Sequence, residues 1–359
     1  MSSHVSTKES QEIEVQLKKD KELYLKTKKE PHLLLLGSGD SGKTTFLRQI
    51  KILHGGGFSK EEKRDYLERI ATNIFDSIAE LLRGASENNG TFSAVTMESI
   101  DKIHSQLSYS RSTGNLSIVF RPFTLELANH INIIWNDEYT QKLFANRAKF
   151  KLQIQDTADY FLSRIMTIAG ENYTPTEEDI IRIRSQTTRI TETIVTVGKN
   201  TYHFYDVGGQ IKYRKQWTPY FDTVHSIVFV VSLASFDQFL AEDPTINRMH
   251  DALDLFGQIS DHPLLRHIPI TLFLNKKDLF AQKFPTANIQ QYFPDYQAKD
   301  IRKAMRYFEN KFHNQNKVPG KEITCHFTCC TDTSAMGLII MTVLEAMVKL
   351  QLKTSGMII

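Results

Sequence analysis

Cysteine is scarce in this chain: three residues among 359, Cys325, Cys329 and Cys330. They crowd into one strand-like stretch, "CHFTCCTD". With His326 they could be imagined as a metal cluster, but alternate strand residues face opposite ways and no second ligand pair exists. They read instead as reduced thiols, the usual state in a cytosolic protein. A hydrophobic run of bilayer length is also missing. The best apolar candidate, "SIVFVVSLASF" (226–236), is far short of the roughly 20 residues a spanning helix needs. No signal-peptide pattern opens the chain. Nor is there an excess of either charge. A net charge of +3 lacks the concentrated basic surplus of a nucleic-acid-binding protein.

What remains is an ordinary globular composition, 41% hydrophobic and 24% charged, with length enough for two domains. Residues 8–30 are polar and lysine-rich, with Ile13 and Leu17 on a weak apolar side. They predict an exposed helix that Pro31 stops. The four leucines 33–36 fit a strand buried on both faces. A helix follows from about Gly42 to His54, and "GGG" (55–57) breaks it. From about 59 to 180, apolar residues recur at helical spacing: Leu67, Ile70, Ile74, Ile78, Leu81 and Leu82. Only "LSIVF" (116–120) is ambiguous between strand and buried helix. The block reads as an all-helical insertion.

After 190 the pattern returns to strands. "TETIVTVG" and "YHFYDVGG" flank a short turn at Gly198–Asn200. "SIVFVVSL", "ITLFLNKKD" and "CHFTCCTD" follow, each with a helical stretch behind it. This alternation predicts an α/β fold with a mostly parallel sheet, whose ligands sit beyond the carboxyl ends of the strands. The expected division is an N-terminal helix (1–30), an α/β domain (31–58 and 181–359) and a helical domain (59–180).

Three motifs fall at those strand ends. "GSGDSGKT" (37–44) matches G-x-x-x-x-G-K-[ST] between a strand and a helix, the context this pattern requires. Its glycines let backbone N–H groups point into a small concavity. Lys43 supplies charge to β- and γ-phosphates, the Thr44 hydroxyl can ligate Mg²⁺, and the helix start faces the anion. The turn alone does not decide between ATP and GTP. "FLNKKDLF" (273–280) contains N-K-x-D. A carboxylate at Asp278 can accept from the N1–H and 2-amino group of guanine, a donor pair adenine lacks. Asn275 would brace the loops and the Lys276 stem would lie over the base. In "DVGGQ" (206–210), Asp206 suits a water-mediated Mg²⁺ contact. Its glycines let an N–H approach a γ-phosphate, and Gln210 can orient a water.

With these motifs in this order, the chain resembles an alpha subunit of a heterotrimeric guanine-nucleotide-binding protein, from about residue 10 to the end. Further carriers are "RIRSQTTRITET" (182–193), "AEDPTINRMH" (241–250) and "FTCCTDT" (327–333). A small Ras-like GTPase would lack the helical insertion and the Arg–Thr stretch. The resemblance implies a Ras-like P-loop GTPase domain interrupted by a helical domain. It implies Arg184 as a built-in arginine finger and Gln210 as the catalytic glutamine. Thr187 would be a switch threonine on Mg²⁺ beside Thr44, and Gly209 a γ-phosphate sensor. Asp40 would pair with the finger, and Asp156 would reach toward Lys276. Ser41, Gly42, Thr45, Thr157, Ile181, Arg182 and Cys330 complete the implied nucleotide contacts. Arg248 fits a structural or switch-linked pairing. The implied ligands are GTP or GDP with Mg²⁺. The implied partners are a βγ dimer, a heptahelical receptor and effectors, with no nucleic acid.

Several positions depart from that family. Ser2 stands where a myristoylated member has glycine, and no N-terminal cysteine offers a palmitate site. Lys18, Lys19, Lys21, Lys26, Lys28 and Lys29 could attract anionic lipid at about 1 kcal/mol per charge. Peripheral residence at the inner face of the plasma membrane would then depend largely on a lipidated partner. After Gln210 the family usually reads Arg-Ser-Glu-Arg; here stand Ile211, Lys212, Tyr213 and Arg214. Only Arg214 remains to reach Asp251, so a less firmly clamped second switch is expected in the GTP state. Arg189 occupies a glycine position beside the Thr187–Thr188 pair, which implies weak or altered stimulation by regulators that accelerate hydrolysis. Cys330 replaces an alanine against the guanine ring and is expected to loosen GDP. Ser355 stands where some members carry a toxin-modified cysteine. Competing readings are a P-loop kinase or ATPase, which N-K-x-D and "DVGGQ" oppose, and a GTP-loaded scaffold that barely hydrolyses.

Overall fold

The computed structural model describes residues 30–113 and 124–354. The expected N-terminal helix, the "LSIVF" stretch and Ser355 lie outside those residues. The first strand, β1 (His32–Leu36), shows why four consecutive leucines make a central strand. Successive side chains alternate between faces. Leu33 and Leu35 pack with Phe46 and Ile50 of α1 (Lys43–His54), whereas Leu34 and Leu36 join a separate core behind the sheet.

Five more strands complete the sheet: β2 (Thr191–Val197), β3 (Asn200–Asp206), β4 (Ser226–Ser232), β5 (Ile270–Asn275) and β6 (Ile323–Phe327). Their order is β2-β3-β1-β4-β5-β6. All pairs are parallel except β2 with β3, a hairpin whose turn uses Gly198 at φ +63°. The chain leaves β1 for β2 and β3 on one side, and later crosses to β4 on the other. This is the switch point where parallel sheets open a ligand crevice. β6 ends at Phe327, so Cys325 alone lies on the strand and Cys329 and Cys330 belong to the loop beyond it. All three are free thiols.

Between α1 and β2 the described chain is helical throughout. It contains α2 (Lys60–Glu87), α3 (Ala94–Thr113), α4 (Leu125–Asn136), α5 (Glu138–Ala145), α6 (Ala158–Leu162), α7 (Ile165–Ile168) and α8 (Glu177–Arg182). α2 starts at a reciprocal capping box between Ser59 and Glu62, which satisfies two otherwise orphaned N–H groups. Ile70, Ile74, Ile78 and Leu81 line its buried stripe, with Leu67 and Leu82 at the margin. They share a core with Trp135, Phe161 and Ile165 that is separate from the two cores flanking the sheet.

The sheet is backed by α9 (Arg248–Asp261), α10 (Lys277–Lys283) and α11 (Ile301–Gln315). On the α1 side lies α12 (Thr333–Thr354). The stretch Thr333–Leu350 of α12 is long and apolar enough to cross a membrane, with mean hydropathy 1.6. It overturns the expectation that an apolar stretch of bilayer length is missing. Met336, Ile340, Val343, Leu344 and Met347 recur on one face and are buried against the sheet, while Leu338 and Met341 on the other side are exposed.

Candidate functional site

The phosphate turn takes its shape from backbone that few residues tolerate. Gly37 has φ +133°, and a Cβ there would lie 2.1 Å from the Val230 carbonyl oxygen. Gly42, at φ +109°, would place a Cβ 2.2 Å from Asn275 Nδ2. Inside the turn, Lys43 Nζ donates to the carbonyls of Gly37 at 2.9 Å and Ser38 at 2.8 Å. Burial pushes the Lys43 ammonium down to about 8 despite the Asp206 and Asp40 charges. A buried cation held only by two carbonyls and a distant Ser41 hydroxyl is under-compensated, and phosphate oxygens would complete it.

Beside it, three oxygens converge. Thr44 Oγ1 donates to Asp206 Oδ2 at 2.7 Å and shares a 2.9 Å hydrogen bond with Thr187 Oγ1. Thr187 also donates to Asp206 Oδ2 at 3.2 Å. Asp206 Oδ1 is buried with no hydrogen-bond partner. Burial raises the Asp206 pKa, partly offset by Lys43. An all-oxygen set with an orphaned carboxylate oxygen suits a hard divalent cation such as Mg²⁺.

The opposite end of the cleft is built from β5 and the loop after β6. Asn275 Nδ2 donates to the Ser41 carbonyl at 2.8 Å. Its Oδ1 accepts from the Cys330 N–H at 3.0 Å and the Thr328 hydroxyl at 3.1 Å. Asn275 thus ties the turn at 37–44 to the loop beyond β6. The Cys330 carbonyl accepts from Gln49 Nε2 at 2.9 Å, and burial pushes the Cys330 thiol up to about 12. Lys276 takes a left-handed backbone, φ +59°, and its Nζ meets Asp156 Oδ2 at 2.7 Å. Burial raises the Asp156 pKa, but the Lys276 charge and hydrogen bond bring it well below the usual carboxylate range. Asp278 Oδ1 is buried and unpartnered. In a folded interior such an oxygen calls for a donor.

Between these ends runs a cleft of about 580 Å³, walled by the sheet on one side and the helical block on the other. Thr45, Thr157, Ile181 and Arg182 line it. Thr157 Oγ1 closes one edge through the Arg182 carbonyl at 2.7 Å. Asp206 is not on the lining; it acts beneath it through Thr44.

The segment 183–190 carries Arg184, whose Nε donates to Asp40 Oδ1 at 2.7 Å. The Asp40 charge raises the pKa of Arg184, and the guanidinium stays charged. Asp40 is also 3.5 Å from Arg248, whose Nε donates to the Phe239 carbonyl at 2.9 Å. Arg248 therefore has the structural pairing expected of it. Gly209 packs against Lys43: a Cβ there would meet Nζ at 2.4 Å and the Gly37 and Ser38 carbonyl oxygens at 2.5 Å. The Gln210 side chain accepts a hydrogen bond from Gln186.

In the second switch Arg214 is the residue that reaches Asp251, as expected. It donates to both carboxylate oxygens, at 2.9 and 2.5 Å. Arg214 Nε also donates to the Gly209 carbonyl at 3.2 Å, and Trp217 Nε1 donates to that of Gly208 at 3.1 Å. Arg214 stands four residues beyond Gln210, and Asp251 lies in the first turn of α9. Ile211 and Arg189 are exposed.

Sequence reasoning missed four side chains that hold the site. Arg48 donates to the Ile180 carbonyl and to Ser185 Oγ, fixing the entry to the Arg184 segment. Gln186 holds Gln210. From the helical block, Asn73 reaches the Arg184 segment, and Gln155 donates to the Asn73 carbonyl behind it. Asn73 left a signal, a polar residue next to Ile74 on the buried stripe of α2. Its long-range partners left none.

A family model described as G-protein alpha subunit matches residues 7–347. A "Guanine nucleotide-binding protein subunit alpha" of Emericella nidulans is 36% identical over 358 residues, covering 97% of this chain and 96% of its own length. At 35% identity and the same coverages stand a "G-protein complex alpha subunit gpaA" of Aspergillus fumigatus and a "Guanine nucleotide-binding protein alpha-1 subunit" of Neurospora crassa.

Proposed function

The chain belongs to the G-protein alpha subunit family, and on that premise we propose that it binds GTP with Mg²⁺ and hydrolyses it to time a signalling switch. One observation carries the choice of guanine: the buried, unpartnered Asp278 Oδ1 at the end of the cleft away from Lys43. The N1–H and 2-amino donors of guanine would satisfy the carboxylate, whereas adenine would leave it unpaired at a cost of roughly 1–3 kcal/mol or more.

The residues divide the work. Lys43 exchanges the Gly37 and Ser38 carbonyls for β- and γ-phosphate oxygens. Thr44, Thr187 and, through water, Asp206 would hold Mg²⁺, which neutralises phosphate charge when bound. The Gly209 N–H approaches the γ-phosphate, where only glycine leaves room. Arg184 moves from Asp40 to the phosphoryl oxygens, where charge develops in the transition state. Gln210 exchanges Gln186 for the attacking water. Loss of the γ-phosphate releases Thr187 and Gly209, and with them both switch segments.

The relatives' names support membership of a complex. The proposed partners are a βγ dimer, a heptahelical receptor and effectors. Peripheral association with the inner face of the plasma membrane would come through those partners. The exposed Arg189, two residues beyond Thr187, weakens docking of hydrolysis-accelerating regulators in this reading. A GTP-loaded scaffold with weak hydrolysis is not favoured, since Arg184 and Gln210 both stand at the cleft. Competition of GTP, GDP and ATP against a fluorescent GDP analogue, followed by phosphate release from loaded GTP, tests the proposal. Equal competition by ATP, or no phosphate release, rejects it.

A further inference from the structure

Asn73 is an unusual residue for the buried stripe of a long helix. Asparagine is a poor helix former, and its amide is costly to bury without partners. Here it is 6% exposed and lies between Ala71 and Ile74 on the inner side of α2. Both halves of its amide are used, and both on one residue. Oδ1 accepts from the Arg184 N–H at 2.7 Å, and Nδ2 donates to the Arg184 carbonyl at 2.9 Å. The side chain thus grips the main chain of Arg184 as a neighbouring β-strand would, at a point between α8 and β2 where no strand is present.

The grip is itself anchored. The Asn73 carbonyl accepts from Ser77 Oγ at 2.7 Å and from Gln155 Nε2 at 2.8 Å. One turn further along α2, the Asp76 carboxylate adds to the charges that raise the Arg184 pKa, behind those of Asp40 and Asp156. Arg48 holds the preceding residues through the Ile180 carbonyl. The Arg184 main chain is therefore fixed by the helical block, while its side chain remains free to leave Asp40.

We propose that Asn73 is a positioning residue for GTP hydrolysis: by clasping the Arg184 backbone, it sets where the guanidinium can reach. The inference rests on the reading of Arg184 as the arginine finger. Displacing a positioned group by about 1 Å can cost on the order of 100-fold in rate. Losing both bonds of the clasp is accordingly expected to slow hydrolysis by about 10- to 100-fold, without slowing nucleotide loading.

A double-mutant cycle in the full-length chain tests this, using single-turnover hydrolysis of preloaded GTP for wild type, Asn73→Ala, Arg184→Ala and the double variant. Melting temperature and the fraction loaded with a non-hydrolysable GTP analogue are measured alongside. The expected result is a slow Asn73→Ala variant with wild-type loading, and a double variant within about twofold of Arg184→Ala. Additive losses would mean that Asn73 acts by general stability and would overturn the inference. So would a wild-type rate for Asn73→Ala. If the alanine variant does not fold, Asn73→Asp keeps the acceptor and removes the donor; a rate equal to wild type there also overturns it. Failure of the underlying reading looks different: Arg184→Ala itself would hydrolyse GTP as fast as wild type.

Discussion

The phosphate and base cradle and the two switch segments meet at one cleft, yet they are held by opposite means. In the cradle, buried side chains bind nearby main chain: Lys43 the Gly37 and Ser38 carbonyls, Asn275 the Ser41 carbonyl and the Cys330 N–H. At the switches, the working side chains are exposed or half-buried and hold one another: Arg184 with Asp40, Gln210 with Gln186. A cradle built on main chain is preorganised to bind. A switch built on exchangeable side-chain pairs can let go. The difference assigns nucleotide affinity to one region and timing to the other.

The sharpest way to break that division is at the base. Asp278→Asn removes the acceptor for two guanine donors. At roughly 1.5–3 kcal/mol for each charge-assisted bond, GDP affinity should fall by about 100-fold or more. Titration with a fluorescent GDP analogue measures it; unchanged affinity would remove the basis for choosing guanine.

A smaller effect is expected where the helical block closes the cradle. Asp156→Ala leaves the Lys276 ammonium without its partner, and release of GDP should quicken by about tenfold, a loss near 1.4 kcal/mol. The folded Asp156 carboxyl titrates below the unfolded value. Its contribution is therefore present above the ordinary carboxylate range and is lost only as pH falls through the lower folded value. The ratio of variant to wild-type release rates should be the same at pH 7 and pH 5. A ratio that collapses at pH 5 would contradict the pairing.

The mildest effect is expected at Cys330. Its main chain is already fixed by Asn275 and Gln49, so only the thiol volume distinguishes it from alanine. Cys330→Ala should slow GDP release by about two- to threefold, within the sub-kcal/mol range of a volume change in a packed site. Stopped-flow release of the fluorescent analogue would resolve it, and a faster release would reverse the assigned role.

The same contrast governs what could be read from the sequence. Cradle residues come in contiguous motifs because a tight turn and its helix are local structures. Lys43, Thr44, Asn275 and Asp278 could be placed from spacing alone. The sheet followed from apolar runs such as Leu33–Leu36, whose burial on both faces leaves no alternation to misread. The supports of Arg184 were not legible. Asn73 lies 111 residues away in sequence, and only the packing of α2 against the 183–190 segment brings them together. The Arg214–Asp251 pair, by contrast, was legible, since Arg214 is the arginine left after Gln210 to reach that carboxylate.

Single-turnover hydrolysis by Gln210→Leu beside wild type, both preloaded with GTP, tests the separation of binding from timing most directly. The account predicts equal retention of GTP and a rate lower by about 100-fold or more in the variant, the scale of losing an oriented transition-state contact. Equal hydrolysis rates, or loss of GTP binding with the substitution, would contradict it.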